Sequence, residues 1–313
     1  MTMDAAERDL LAETLRKAMA GASGEALDVA LIELGWPDLL TEVPDIAIPM
    51  VFRLLGETGV HAPLLNDVLL HAAGDPVGGS LPLPYTGGSW VVWDRTDQAG
   101  TGLDEELPLR QVPAGEPVAL AAGRRALGWW LVGTGRAMLA VARTHALDRI
   151  QFGRPVASFQ AVRHRLAETL VALDGAEATL RTAEDDLGSL LGKAAAGQAA
   201  LTASRHCQQV LGGIGFTAEH DLHRHVRRAL VLDGLLGSSR ELIREAGALL
   251  RVEGSAPRLV QLDRAGSVEL ALTERASVAG QIEHALRDDV ALNLRGATGD
   301  GAAEAPGVPF EPA

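Results

Sequence analysis

The chain has 313 residues, 47% of them hydrophobic and 4% aromatic, with a net charge of −13 from 41 acids and 28 bases. That length holds one large domain or two to three small ones, and the acidic balance argues against a general nucleic-acid binder, which needs a basic surface. No uncharged apolar run approaches the ~20 residues of a membrane helix, and the acidic stretch MTMDAAERDLLAETL lacks a signal-peptide core, so no membrane is expected and the cytoplasm is the expected location.

Asp4 to Ala20 sets Leu10, Leu11 and Leu15 at helical spacing among charged residues, which predicts an amphipathic helix. Ser23, Glu25 and Ala26 begin a second helix, with Gly35 and Pro37 as its stop. Two more are expected from about Asp45 to Gly56 and from Pro63 to Ala73, where Pro63 suits a first turn. From Asp75 to Pro117 the chain turns rich in Gly and Pro, with β-prone runs such as Ser89 to Trp93. That is room for a few strands and not for an independent barrel.

Helices return at Val118. One runs through Leu131, Met138, Leu139 and Ala142 to Leu147, and Gly153 and Pro155 read as its exit. Ser158 is the expected N-cap of the next, which carries Val162, Leu166, Leu170 and Leu173 on one stripe. Ala194 to Leu211 follows, closed by Gly212 and Gly213, and then Asp221 to Leu232 and Ser239 to Leu250. This spacing suggests an antiparallel four-helix bundle. Beyond Gly254, Arg258 to Leu272 alternates loosely like strands, Ala276 to Leu286 reads as a helix, and the end from Gly296 reads as disordered. The expected organisation is therefore mainly α: an N-terminal helical domain (1–74), a reduced β segment (75–117), a C-terminal four-helix bundle (118–254) and a tail without an assigned role (255–313).

Two segments carry most of the functional information. One is Asp148-Arg-Ile-Gln-Phe-Gly-Arg-Pro-Val-Ala-Ser-Phe-Gln160, followed by Leu166-Ala-Glu168. The other is Gln209-Val-Leu-Gly-Gly-Ile-Gly-Phe-Thr-Ala-Glu219, followed by Arg227-Arg-Ala229. An arginine offers planar charged donors to a pyrophosphate, and consecutive glycines let backbone approach a ligand. Gly212, Gly213 and Gly215 also suit a helix cap and turn. In order, spacing and position at helix ends, the two segments resemble the R-x-x-F-G-x-P and Q-x-x-G-G-x-G-F signatures of the acyl-CoA dehydrogenase C-terminal domain. Glu33 to Leu40 and Leu55 to Leu64 are similar, more faintly, to that family's N-terminal helical domain. The resemblance covers roughly residues 5–74 and 118–251. It implies FAD as cofactor, an acyl-CoA substrate desaturated at the α,β position, and electron-transfer flavoprotein as electron acceptor. It also gives Arg149, Gln151, Phe152, Gln209, Val210 and Gly213 the roles of contacts to the FAD of a neighbouring subunit.

The sequence departs from the family in two places. The usual catalytic glutamate, a carboxylate whose pKa can be tuned for α-proton abstraction, would fall at Leu236 within Leu235-Leu-Gly-Ser-Ser239. The alternative position near Gly123-Arg-Arg-Ala-Leu also lacks an acid. Asp233 is the nearest carboxylate, a weak catalytic candidate that reads better as a surface or turn residue. The β segment is also too short to enclose a flavin, which weakens water exclusion around a reacting centre. Both losses resemble the short chains of actinobacterial steroid-degrading acyl-CoA dehydrogenases. Those pair with a longer chain in a heterotetramer with two copies of each, FAD lying at the unlike interface. The resemblance implies a bulky or steroid-derived acyl-CoA and a catalytic base supplied by the longer chain, leaving this chain inactive alone. The rival reading is a catalytically inactive helical protein that stabilises or regulates a true dehydrogenase.

The remaining constellations read as structural. His220, His223 and His225 do not share one helical face, so no metal site is expected. The lone Cys207 excludes an internal disulfide and reads as packing. Trp129 and Trp130 read as core, the alternative being that one of them faces an acyl channel.

Overall fold

A computed structural model of the protein describes residues 3–96, 104–116 and 118–253; the readings made for the tail beyond Gly254 lie outside the described residues. Asp4 opens α1 (Ala5–Gly21) with a capping box, its carboxylate accepting from Glu7 N while Glu7 accepts from Asp4 N. Next comes α2 (Glu25–Glu33). Pro37 does not stop a helix here. It sits in the first turn of a separate helix, α3 (Trp36–Glu42), after Gly35 turns left-handed at φ +82°. A proline there gives up only an N–H that would be unpaired anyway. α4 (Pro44–Thr58) runs on through Pro49 and closes on Gly59, at φ +75°. α5 (Leu64–Ala73) completes the N-terminal helices.

A three-stranded antiparallel meander follows: β1 (Pro82–Tyr85), β2 (Ser89–Trp93) and β3 (Leu109–Val112), in the order β1-β2-β3. Leu83 pairs with Val91 and Trp93 with Leu109, and Leu83 and Trp93 are fully buried. Pro82 and Pro84 confine β1 to an outer position, since neither supplies a ladder N–H. The chain before β3 is anchored by Arg228, whose guanidinium donates to Asp104 at 2.5 Å, to Glu106 at 3.1 Å and to the carbonyls of Gly59 and Val60. Arg228 and Asp104 are both buried, so each needs the other.

Among the described residues five α-helices follow: α6 (Ala121–Asp148), α7 (Gln160–Arg181), α8 (Asp186–Leu211), α9 (Leu222–Gly234) and α10 (Ser239–Glu253). Ser158 does not cap α7. It closes a short 3-10 turn, and Phe159 stands at the cap without a side-chain bond. α8 starts well before Ala194 because Asp185 caps it, accepting from Gly188 N at 2.6 Å.

Small residues on α6 let its neighbours approach closely. A Cβ on Gly133 would lie 2.1 Å from the carbonyl oxygen of Arg53, and one on Gly56 would lie 2.4 Å from that of Trp130. The backbones of α4 and α6 therefore touch. Rings bridge the layers: Phe52 packs edge-on to Trp130 at 5.7 Å, Trp93 stacks on Trp130 at 5.4 Å, and Trp36 tilts against Phe52 at 6.4 Å. One apolar cluster runs continuously from Leu15 in α1 to Leu236 after α9.

Candidate cofactor-binding site

The first signature segment folds as expected up to Arg149 and then differs. After α6 the chain makes a two-residue hairpin, β4 (Ile150–Gln151) with β5 (Arg154–Pro155), and not merely a helix exit. Its tip is Phe152 at φ +54° and Gly153 at φ +75°. Two left-handed residues are what a tight hairpin turn requires. Glycine meets that demand freely, while Phe152 pays about 1–2 kcal/mol for it. The residue is 90% exposed; its ring meets Phe159 edge-on at 6.0 Å, and Arg154 lies 4.3 Å over the Phe159 ring. A strained backbone that holds an aromatic ring in water suits a residue with work outside its own fold. Arg149 is exposed and in no ion pair among the described residues, and the Gln151 amide donates only to its neighbour's carbonyl at 2.7 Å.

At the end of α8 the three glycines have separate reasons. Gly212 is the C-cap, at φ +68°. Gly215 folds back on the helix, where a Cβ would come within 2.6 Å of Gln208 O. Gly213 needs neither: its φ is not positive, it is exposed, and a Cβ there would meet nothing within 4 Å. Gln209 is exposed. Val210 is buried in the core at the end of α8, so its side chain offers nothing to a ligand outside. The two segments come together in space, because Arg149 and the residues that follow the second signature, His220 and Asp221, line one open pocket of about 700 Å³.

The turn between α9 and α10 is the third part. Leu236 is left-handed at φ +57° and fully buried. Its N–H donates to Pro84 O at 2.8 Å, and its carbonyl accepts from Arg124 Nε at 3.2 Å. A Cβ on Gly123 would lie 2.8 Å from Leu236 Cδ1 and 2.7 Å from Leu69 Cδ2. The two alternative base positions are thus side by side, and aliphatic groups fill the space between them. Asp233 is not a surface residue: it is 8% exposed, and its carboxylate accepts from Ser239 N at 3.1 Å. Behind it stands Lys193, fully buried, donating to Asp233 O at 2.9 Å and Gly237 O at 2.6 Å. Burial presses its ammonium down to about 7, against a smaller upward pull from Asp233. Burial, with Asp233 second, raises Tyr85.

The family description "Acyl-CoA dehydrogenase, C-terminal domain" matches residues 118–247. That stretch, from the chain before α6 into α10, is thus similar to an acyl-CoA dehydrogenase C-terminal domain. The chain is 35% identical over 201 residues to acyl-CoA dehydrogenase FadE34 of Mycobacterium tuberculosis, covering 56% of this chain and 28% of that protein. It therefore spans less than a third of that relative's length. Among solved structures it resembles the ChsE4-ChsE5 complex from Mycobacterium tuberculosis, with TM-score 0.59 and 19% identity over 82% of this chain and 99% of that one. It also resembles the Tcur3481-Tcur3483 steroid ACAD variant, with TM-score 0.58 and 17% identity over 80% and 99%. The fold is that of acyl-CoA dehydrogenases with few strands, mainly α as expected.

Within residues 118–247, sequence reasoning missed Lys193 and Arg124, which hold the Leu236 turn. The available signal was a lysine set among Gly192, Ala194, Ala195 and Ala196, where a helix face of small residues foretells close packing. Elsewhere, burial pushes the Cys207 thiol up to about 12 and, ahead of the charges of Arg228 and Arg224, His225 down to about 4. Among the described residues no three His, Cys, Asp or Glu side chains are placed to hold a metal, and no helix is long and apolar enough to cross a membrane.

Proposed function

We propose that this chain is one subunit of an FAD-dependent acyl-CoA dehydrogenase that desaturates a CoA thioester at the α,β position. A longer dehydrogenase chain would complete the site in a heterotetramer with two copies of each. Gly213 carries the reading. The fold itself gives no reason for glycine there, and a bare, exposed backbone is what a large ligand or neighbouring chain can approach. Arg149, in no ion pair among the described residues, supplies the donors a pyrophosphate needs. Phe152 offers an apolar face and Gln151 and Gln209 offer amides, while the contact expected of Val210 falls on a residue buried in α8.

Bound FAD would accept a hydride from the acyl β-carbon. This chain's contribution is to bind and orient that cofactor and to exclude water from it, not to move the α-proton. Leucine occupies the base position, and Asp233 is committed to capping α10. Aliphatic packing of Leu236, Leu69 and Gly123 leaves this chain no room for an acyl group at that turn, so base and acyl channel are assigned to the longer chain. Similarity to acyl-CoA dehydrogenase FadE34 supports an acyl-CoA substrate, and fold likeness to a steroid ACAD variant supports a bulky, steroid-like one. Electron-transfer flavoprotein is the proposed acceptor.

The test is the flavin content of the complex purified with its longer partner. Gly213→Val and Arg149→Ala should each lower flavin retention about tenfold or more while the chains still co-purify. Unchanged flavin in both variants would contradict the reading and favour a catalytically inactive stabilising subunit.

A further inference from the structure

Each helix from α1 to α9 contributes side chains to the main apolar core, and α10 does not. It packs on α8 through a small cluster of its own, Leu242 and Ala246 against Leu190 and Ala194. Its other face leaves Ile243, Leu249 and Val252 exposed. The remaining ties are polar: Glu241 accepts from Gly87 N and Ser238 N, Asp233 accepts from Ser239 N, and Glu245 pairs with Arg124 at 3.2 Å near the surface. A helix with so little apolar burial is the part expected to open before the rest.

Under the turn that leads into α10 lies Lys193 of α8, fully buried. Its Nζ donates to Asp233 O at 2.9 Å and to Gly237 O at 2.6 Å, so one amine ties the last turn of α9 to the chain entering α10. Among the described residues it makes no third hydrogen bond. A neutral amine has two N–H donors and an ammonium has three. The fold therefore satisfies the neutral form and leaves a buried ammonium one acceptor short.

The charges around Lys193 come from three other helices and do not neutralise it. Asp233 on α9 attracts it, Arg124 on α6 repels it, and Glu241 on α10 attracts it weakly. Each of the three is already engaged, by Ser239 N, by Glu245, and by Gly87 and Ser238. Tyr85, on β1, acts on Asp233. Burial outweighs these charges and brings the amine to about 7.

We infer that Lys193 is a proton-operated latch for α10: the neutral amine holds the turn that docks α10 on α8, and protonation releases that helix while the rest of the fold stays closed. Released, the amine meets water and returns toward its ordinary value of 10.5. The released state then binds more protons than the docked state, so release becomes easier as pH falls, by about tenfold per unit, and levels off below pH 7. The latch needs neither cofactor nor partner, so its failure leaves the flavin reading untouched.

Hydrogen exchange of the full chain, read by mass spectrometry as protection factors at pH 6 to 8.5 and in low urea, tests it. Residues 239–253 should be at least about tenfold less protected than residues 126–142 of α6 and far less sensitive to urea, the mark of local opening. Their protection should fall about tenfold from pH 8.5 to 7 and then level off. Lys193→Met should flatten that pH profile. Glu245→Gln should lower protection no more than about fivefold and keep the profile. If α10 opens only together with α6, with the same protection and urea dependence, the inference is overturned. It is equally overturned by a wild-type α10 whose protection ignores pH, by Lys193→Met keeping the profile, or by Glu245→Gln losing it. Should Lys193→Met fail to fold, the wild-type profile and Glu245→Gln still decide.

Discussion

Lys193 gives the fold a pH dependence that a single substitution should erase. The amine is fully buried, donates to Asp233 O and Gly237 O, and titrates at about 7 rather than 10.5. Below pH 7 both folded and unfolded chains hold the proton, and the fold carries the whole cost of a buried cation. Above it the folded chain sheds the proton while the unfolded chain keeps it. The unfolded state then binds more protons, so stability must rise with pH. Each unit of separation is worth about 1.4 kcal/mol, which amounts to about 2 kcal/mol between about pH 7 and pH 8.5. The window stops there because Cys207, raised to about 12 from 9, begins to act the other way near pH 9. Urea denaturation followed by far-ultraviolet circular dichroism across that window is the assay. In Lys193→Met the rise should vanish. The overall level should fall, because two buried carbonyls lose their donor at about 1–3 kcal/mol each. A wild type with no rise, or a variant that keeps one, would refute the reasoning.

The contact between α4 and α6 predicts that Gly133→Ala destabilises the protein by about 1–3 kcal/mol or more. The new Cβ cannot occupy a place 2.1 Å from Arg53 O, and the midpoint of thermal unfolding should fall accordingly. Gly213→Ala should leave that midpoint unchanged or slightly raised, since its Cβ meets nothing within 4 Å and the unfolded chain loses freedom. Glu241 accepts from Gly87 N at 3.0 Å and from Ser238 N and Oγ at 2.8 Å, and these bonds, the one from Gly87 first, hold its carboxyl at about 2. Its contribution is complete above its ordinary value of 4.5 and is lost as pH falls toward 2. Glu241→Gln should therefore lose part of the acid-denaturation limb in a pH titration of unfolding.

Much of the fold was written in local punctuation. The helical spacing of Leu10, Leu11 and Leu15, the Gly-Pro-rich break after Gly74 and the two signature segments can be read without coordinates, because each acts over a few residues. What was hidden depends on distant neighbours. Pro37 looks like a stop until Gly35 turns the chain into a new helix. Asp233 looks like a surface acid because nothing nearby in sequence shows Lys193 arriving from α8. The three glycines after Leu211 look alike, and only the surroundings separate a cap, a close approach and an open backbone. The hairpin at Phe152 escaped because a phenylalanine in left-handed backbone runs against local preference.

The central claim is that this chain holds FAD only together with a longer dehydrogenase chain. Flavin absorbance per chain, measured on this protein alone, on the longer chain alone and on the co-purified pair, tests it most directly. The account predicts a colourless short chain and a flavin-bearing pair. A longer chain already saturated with flavin and fully active by itself would contradict it.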